Sequence, residues 1–269
     1  MDAITAIPEP LLAFGDDAPE VRAALDRVNA VHARYRALAV RGGPLPNSVE
    51  AMRVELTYHS NAIEGSTLTL RDTQLILEGR TPPGGKPLRE VYEARNHDRA
   101  LRMIEDWASN RPAGSPLTEQ DLLAVHAAVL ADIDANSAGR FRGERVLIKG
   151  TRFIPPGSHR FGALIPAMLA LAARDGVHPV LQAAELHYNL VAIHPFADGN
   201  GRTARLLMNH HLLRHGYPHA IIEIERRAEY LASLERANAG AAAPFAQFVI
   251  LSAARSMERL FEAEGGAAE

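Results

Sequence analysis

His194-Pro195-Phe196-Ala197-Asp198-Gly199-Asn200-Gly201-Arg202-Thr203-Ala204-Arg205 brings a base, a carboxylate, a glycine-bracketed turn and two arginines into one short run. Leu206, Leu207 and Leu213 follow at helical spacing, so the Gly199-Asn200-Gly201 turn opens a helix. Glycine permits backbone shapes in which neighbouring N–H groups converge on an anion. The uncovered N–H groups and positive dipole end of the following helix strengthen that attraction, so phosphate is the natural ligand. Arg202 and Arg205 share one face of the first turn and can fork onto further phosphate oxygens. Two positive charges at a helix N-terminus oppose the macrodipole, which calls for a polyanion opposite them. Asp198 suits Mg²⁺, which takes one or two carboxylates plus substrate oxygens. His194 can serve as a general base near neutral pH. Singly, a Gly-Asn-Gly turn or a loop histidine is ordinary; in this order and spacing they make a nucleotide-transfer site.

Outward from this stretch, helical periodicity dominates and the expected class is all-α. Residues 1–18 read as an irregular lead-in. Val21, Leu25, Val28, Val31 and Leu38 place a helix at about 18–40, broken by Arg41-Gly42-Gly43-Pro44. A second helix is expected from about Ser48 to Ile63, ended by Glu64-Gly65-Ser66. Thr69 with Asp72 opens a short helix through Leu77, and Thr118 with Asp121 opens another at 119–132. Further helices are expected at about 88–108, 161–174, 180–193, 201–215, 226–238 and 243–264. The exception is 145–155, where apolar residues flank Lys149-Gly150-Thr151-Arg152 and suggest a small β-hairpin.

The 269 residues suffice for one large domain, with 47% hydrophobic and 23% charged residues. Cysteine is absent, which excludes disulfides, thiolate zinc sites and cysteine nucleophiles. A net charge of −3 gives no general pull toward nucleic acid. Met1 to Phe14 lacks the basic start of a signal peptide, and no apolar run reaches the length of a membrane span. The expectation is a cytoplasmic protein with no membrane or nucleic-acid partner. His210, His211 and His215 bring no third ligand at familiar metal spacing, so imidazoles without a metal are expected there.

The stretch from His194 to Arg205 resembles the HPFxDGNGRxxR signature of Fic-domain proteins at every fixed position. The resemblance extends over roughly 48–260. Gly139-Arg140-Phe141-Arg142 and the segment after it are similar to the family's flap region, and Leu206 to Pro218 to the helix after the motif. It implies a Fic-type helical bundle with a β-hairpin flap and an N-terminal helical extension. Residues 1–87 would form the extension, with an inhibitory helix at about 48–65, and 88–269 the core. It further implies a protein adenylyltransferase that moves AMP from ATP to a Ser, Thr or Tyr hydroxyl of a target protein. His194 would take the hydroxyl proton and Asp198 would hold Mg²⁺. Gly199, Asn200 and Gly201 would cradle the α- and β-phosphates, Arg202 would grip the β-phosphate and Arg205 the γ-phosphate. Tyr230 and Asn238 fall where relatives line the adenine pocket, although Leu231 stands where many carry a second tyrosine, and Tyr230 is equally readable as core. The target backbone would pair with the 145–155 flap.

Ser60-Asn61-Ala62-Ile63-Glu64-Gly65 is similar to the family's inhibitory motif, (S/T)xxxE(G/N). Ser60 and Glu64 are one helical turn apart and share a face. By that likeness Glu64 pairs with Arg205 and withholds it from the γ-phosphate. Two alternatives stay open: the reverse reaction, removing AMP with Glu64 orienting water, and a nucleotide-responsive regulator of low turnover. Self-modification and a homodimer are also left open.

Overall fold

The computed structural model describes residues 9–264 apart from Arg41, Ala113 and Lys149. Among the described residues ten α-helices form: α1 (Pro19–Val40), α2 (Pro46–Ile63), α3 (Leu70–Leu77), α4 (Leu88–Asn110), α5 (Glu119–Leu130), α6 (Phe161–Leu171), α7 (Pro179–Ile193), α8 (Asn200–Arg214), α9 (Arg227–Asn238) and α10 (Ala243–Ala263). Thr69 and Thr118 each close a reciprocal capping box with the aspartate three residues on, which fixes where α3 and α5 begin. Gly65, at φ +104°, stops α2 in a backbone conformation that L side chains rarely adopt.

The centre of the molecule is the pair α7 and α8, joined by the 194–199 loop. All of α7 is buried except Pro179 and Val191, and all of α8 except Gly201, Leu213 and Arg214. Helices covered on all sides need apolar partners on both flanks. One flank is built on α1, α9 and α10, with Val28, Tyr188, Met208, Phe245 and Met257 interlocked. The other is built on α4, α5 and α6, with Ile104, Leu122, Ile165, Phe196 and Leu206. Phe196 of the joining loop packs into the second flank against His126 of α5, which helps set the shape of the loop.

Of the lead-in, residues 1–8 lie outside the described residues. The part from Leu11 to Phe14 is irregular, yet it is strapped along α7. Asn189 exchanges two hydrogen bonds with the Leu12 backbone (2.8 and 2.9 Å), and the Phe14 N–H donates to Glu185 (2.5 Å). α2 lies against α4, and α3 against both α2 and α4, so the segment before α4 is packed against the bundle.

The 145–155 segment departs from expectation. Its described residues form no strand, and Lys149 lies outside them. Of the alternating side chains, Phe153 packs against the core, Val146 and Ile148 are only half-buried, and their neighbours Leu147 and Ile154 are 83% and 69% exposed, so no continuous face is covered. A lone two-stranded ribbon is marginal in water without a third strand or a packed face. The segment is therefore an irregular flap held at its two ends.

Candidate active site

His194 ends α7 in a left-handed conformation, φ +50°, which turns the chain away from the helix axis. Its Nδ1 lies 3.2 Å from the Val191 carbonyl, an acceptor, so Nδ1 carries the proton and Nε2 keeps a free lone pair. Burial, ahead of the Arg142 charge, pushes its pKa below the usual imidazole value, so the ring is neutral at physiological pH.

Three groups shape the loop that follows. Asn200 accepts from the Phe196 N–H (3.0 Å) and donates to the Phe196 carbonyl (2.9 Å), closing the turn on itself. Its amide is thus committed to the loop, and any phosphate contact at this position comes from the backbone. Gly199, at φ +76°, lets the chain enter α8. A Cβ there would touch His126 and Val129. His126, buried on α5, stacks on Phe196 with centroids 3.6 Å apart. It accepts from the Gly139 N–H at Nδ1 (3.1 Å), which leaves Nε2–H to donate to the Asp198 carbonyl (3.0 Å). Burial drives its pKa down to about 4, so this tautomer is stable through the physiological range.

Arg142 ties the flap to this loop. Its backbone N–H donates to the Pro195 carbonyl (2.9 Å) and its Nε to the His194 carbonyl (2.7 Å). Nη1 and Nη2 donate to the carbonyls of Glu144 and Pro156 (2.5 and 2.7 Å), the two ends of the flap. The guanidinium also lies over the Phe161 ring. Arg142→Ala would strand these partly buried carbonyls, at the low end of about 1–3 kcal/mol each. A loss of about 3 kcal/mol, or roughly 10 °C in melting temperature, is the expected result in a thermal denaturation scan. Lysine should not rescue it, because one ammonium cannot span a three-carbonyl fork.

The charged residues form two groups. In the first, Arg89 and Glu93 from α4 face Asp198 and Arg202 from the motif. Arg89 donates to Asp198 Oδ2 (2.6 Å) and Glu93 (3.1 Å), while Arg202 reaches Glu93 (3.2 Å) and Asp198 Oδ1 (3.4 Å). The four make a closed ring of alternating charge. Even so, among the described residues Arg202 Nε is buried without an acceptor, Nη1 meets only the Glu93 ion pair, and no side chain caps the N-terminus of α8. In the second group, Arg205 donates through Nε to Ser60 Oγ (2.9 Å), and through Nη2 to the Ser60 carbonyl (2.8 Å) and Glu64 Oε1 (2.7 Å). The expected pairing of Glu64 with Arg205 is thus present. Glu64 Oε1 also occupies the space a Cβ on Gly201 would need, so the carboxylate lies directly over the first turn of α8.

The two expected base contacts separate. Asn238 accepts from the Tyr188 hydroxyl (3.3 Å) and lines a cavity of about 470 Å³ with Phe153 and Ile154 of the flap. Tyr230 is core instead: it is 3% exposed, and its hydroxyl lies 2.9 Å from His187 Nε2 on α7. Leu231, 38% exposed, is the neighbour that faces outward. Among the described residues no three His, Cys, Asp or Glu side chains gather as a metal cluster, and His210 and His211 are buried. No helix among them is long and apolar enough to cross a membrane.

Residues 116–212 match the Fic/DOC family model. Curated relatives named protein adenylyltransferase Fic are similar to this chain. The one from Nematostella vectensis is 35% identical over 89% of this chain and 55% of its own length. The one from Culex quinquefasciatus is 39% identical over 76% of this chain and 41% of its own. The chain thus spans about half the length of the curated relatives it matches. Among solved structures, Fic-1 from C. elegans is 32% identical, with 91% of this chain and 73% of that one covered and a TM-score of 0.78. A Fic family protein from Desulfovibrio desulfuricans G20 is 26% identical, with coverages of 96% and 78% and a TM-score of 0.81. With the motif loop, the paired glutamate and arginine, and relatedness across nearly the whole chain in agreement, this protein belongs to the Fic/DOC family.

Proposed function

We propose that this chain transfers AMP from ATP to a serine, threonine or tyrosine hydroxyl of a target protein, and that Glu64 restrains it. The observation that carries the reading is Arg202 Nε, buried without an acceptor among the described residues, beside a helix N-terminus that no side chain caps. Buried donors without acceptors are costly unless a ligand completes them. Phosphate oxygens are the acceptors that fit this geometry. The names of the curated relatives support the same activity.

In this reading the amides of residues 199–201 and Arg202 hold the α- and β-phosphates. Arg205 takes the γ-phosphate once Glu64 has left. His194 Nε2 accepts the proton of the target hydroxyl as its oxygen bonds to the α-phosphorus. The bond from that phosphorus to the bridging oxygen breaks, and pyrophosphate leaves with the electron pair. Positioning and charge neutralisation carry most of the rate. The exposed Leu147 and Ile154, with a flap backbone not engaged in a sheet, support docking of the target chain there. Asn238, which lines the cavity beside the flap, would meet the base. The intact mass of Glu64→Gly protein, and of candidate targets, after exposure to each nucleoside triphosphate tests the reading. An added AMP from ATP is expected; no adduct from any nucleotide would defeat it.

Asp198 offers a half-exposed carboxylate beside the phosphate site, which fits Mg²⁺ bound by one carboxylate plus substrate oxygens. When bound, the ion would neutralise charge on the phosphates. Arg89 competes for the same oxygen. An exposed ion pair is worth about 0.2–1 kcal/mol, so Arg89→Ala should tighten divalent-ion binding in the presence of ATP by up to about fivefold. Titration with Mn²⁺ followed by electron paramagnetic resonance reads this directly. Weaker binding would instead make Arg89 a ligand-holding residue.

A further inference from the structure

The inhibitory glutamate follows the last turn of α2, and helix ends fray unless their carbonyls are satisfied. Inside that turn the Glu64 and Ser66 N–H groups both donate to the Asn61 carbonyl, and Gly65 N–H to that of Ala62. Besides the Ser66 hydroxyl's bond to Glu90 on α4 and the contacts with Arg205, two hydrogen bonds reach this end of α2 from a single neighbouring stretch. Arg227 Nε donates to the Ile63 carbonyl (2.8 Å), and the Ile224 N–H donates to His59 Nδ1 (3.1 Å). Both donors belong to the short stretch where a 3₁₀ turn (Ile224–Arg226) runs into α9.

That stretch is itself anchored. Just ahead of it, Glu223 pairs with Arg255 (3.1 Å) and Arg259 (3.0 Å) on α10. The Ile221 N–H donates to Ser256 Oγ (2.9 Å), and the Arg226 guanidinium lies 4.4 Å from the centre of the Phe248 ring. The donors are therefore fixed to α10, while the α2 terminus they grip has Arg205 on its other side. A cation at a helix C-terminus also complements the dipole there. His59 is 8% exposed, so its contact with Ile224 is shielded from competing water.

We propose that the segment from Ile224 to Arg227 is a latch for the inhibitory helix, with Arg227 as a positioning residue that holds Glu64 over Gly201. The proposal rests on the inhibitory reading of Glu64. Nothing in it requires Arg227 to touch nucleotide or target. It follows that the restraint on Arg205 is set from two sides: by the Glu64 carboxylate, and by the turn that aims it.

Epistasis tests this. Arg227→Ala in the otherwise natural chain should raise AMP transfer by about two- to tenfold, the range of one hydrogen bond. The same change in the Glu64→Gly background should leave transfer unaltered. Hydrogen–deuterium exchange of the amides of residues 61–66 should quicken by a similar factor, and Arg227→Lys, which keeps a cationic donor, should restore most of the protection. Unchanged exchange in Arg227→Ala would overturn the latch. So would an equal loss of transfer in both backgrounds, which would make Arg227 part of the binding site. If Glu64→Gly itself fails to raise transfer, the inhibitory reading fails, and the exchange measurement still decides whether Arg227 holds the turn.

Discussion

Glu64→Gly is expected to raise AMP transfer about tenfold or more while lowering the melting temperature by only a few degrees. The gain follows from where the carboxylate sits. It takes an Arg205 Nη2 hydrogen at 2.7 Å and fills the space above Gly201, so a triphosphate must displace it to reach either group. A hydrogen bond between charged partners contributes about 1.5–3 kcal/mol. The Glu64 side chain is 42% exposed, which argues for the low end. About 1.4 kcal/mol is a factor of ten in an equilibrium, and the equilibrium here lies between restrained and nucleotide-ready forms. The stability loss should stay at about 1.5 kcal/mol, because Arg205 keeps two acceptors on Ser60 after the glutamate is gone. Glu64→Gln separates charge from bulk: it keeps the obstruction, loses the ion pair and should fall between. Labelling with radioactive ATP under single-turnover conditions reads all three proteins. Equal labelling of the natural chain and Glu64→Gly would show that the pairing with Arg205 does not restrain the reaction.

Most helices were legible because their causes are local. The boxes Thr69–Asp72 and Thr118–Asp121 mark helix starts that the structure reproduces, and Gly65 marks the end of α2. The motif was legible for a similar reason, since its turn, arginines, base and carboxylate are contiguous. What stayed hidden depends on contacts distant in the chain. His126 lies in an apolar stripe with Leu122, Val125 and Val129, and nothing in that stripe announces a prop for the Asp198 carbonyl. Arg142 was visible only as part of the flap region, and its four carbonyls come from three places in the sequence. Arg89 and Glu93 look like an ordinary i,i+4 surface pair until Asp198 and Arg202 arrive opposite them. The flap failed differently. Alternation of apolar residues predicts a strand only where a face is covered, and of Val146, Ile148 and Phe153 only Phe153 packs against the core. Tyr230 was ambiguous because a core tyrosine and a base-stacking tyrosine have the same local spacing. Its hydroxyl on the buried His187 decides for the core.

His194→Ala in the Glu64→Gly background should lower transfer by a hundredfold to ten-thousandfold, the usual range for losing a positioned general base. The assignment of Nε2 as the base rests on the Nδ1–H bond to the Val191 carbonyl, which fixes the tautomer. Alanine also removes that bond and suits the left-handed backbone at φ +50° less well than histidine does, so about 1 kcal/mol of stability should go with it. His194→Asn answers the objection that a disturbed loop, rather than a missing base, accounts for the loss. Asparagine tolerates the left-handed conformation, so it should melt close to the parent and still be inactive. The pH profile supplies a second check. Burial lowers the folded pKa of His194 below its ordinary 6.5. The base form therefore persists as pH falls through 6.5 and is lost only when the lower folded value is reached. Single-turnover transfer by Glu64→Gly should accordingly stay level down through pH 6.5 before declining on the acid side. A profile already at half its plateau at pH 6.5, or an alanine variant as active as its parent, would assign the proton transfer to some other group.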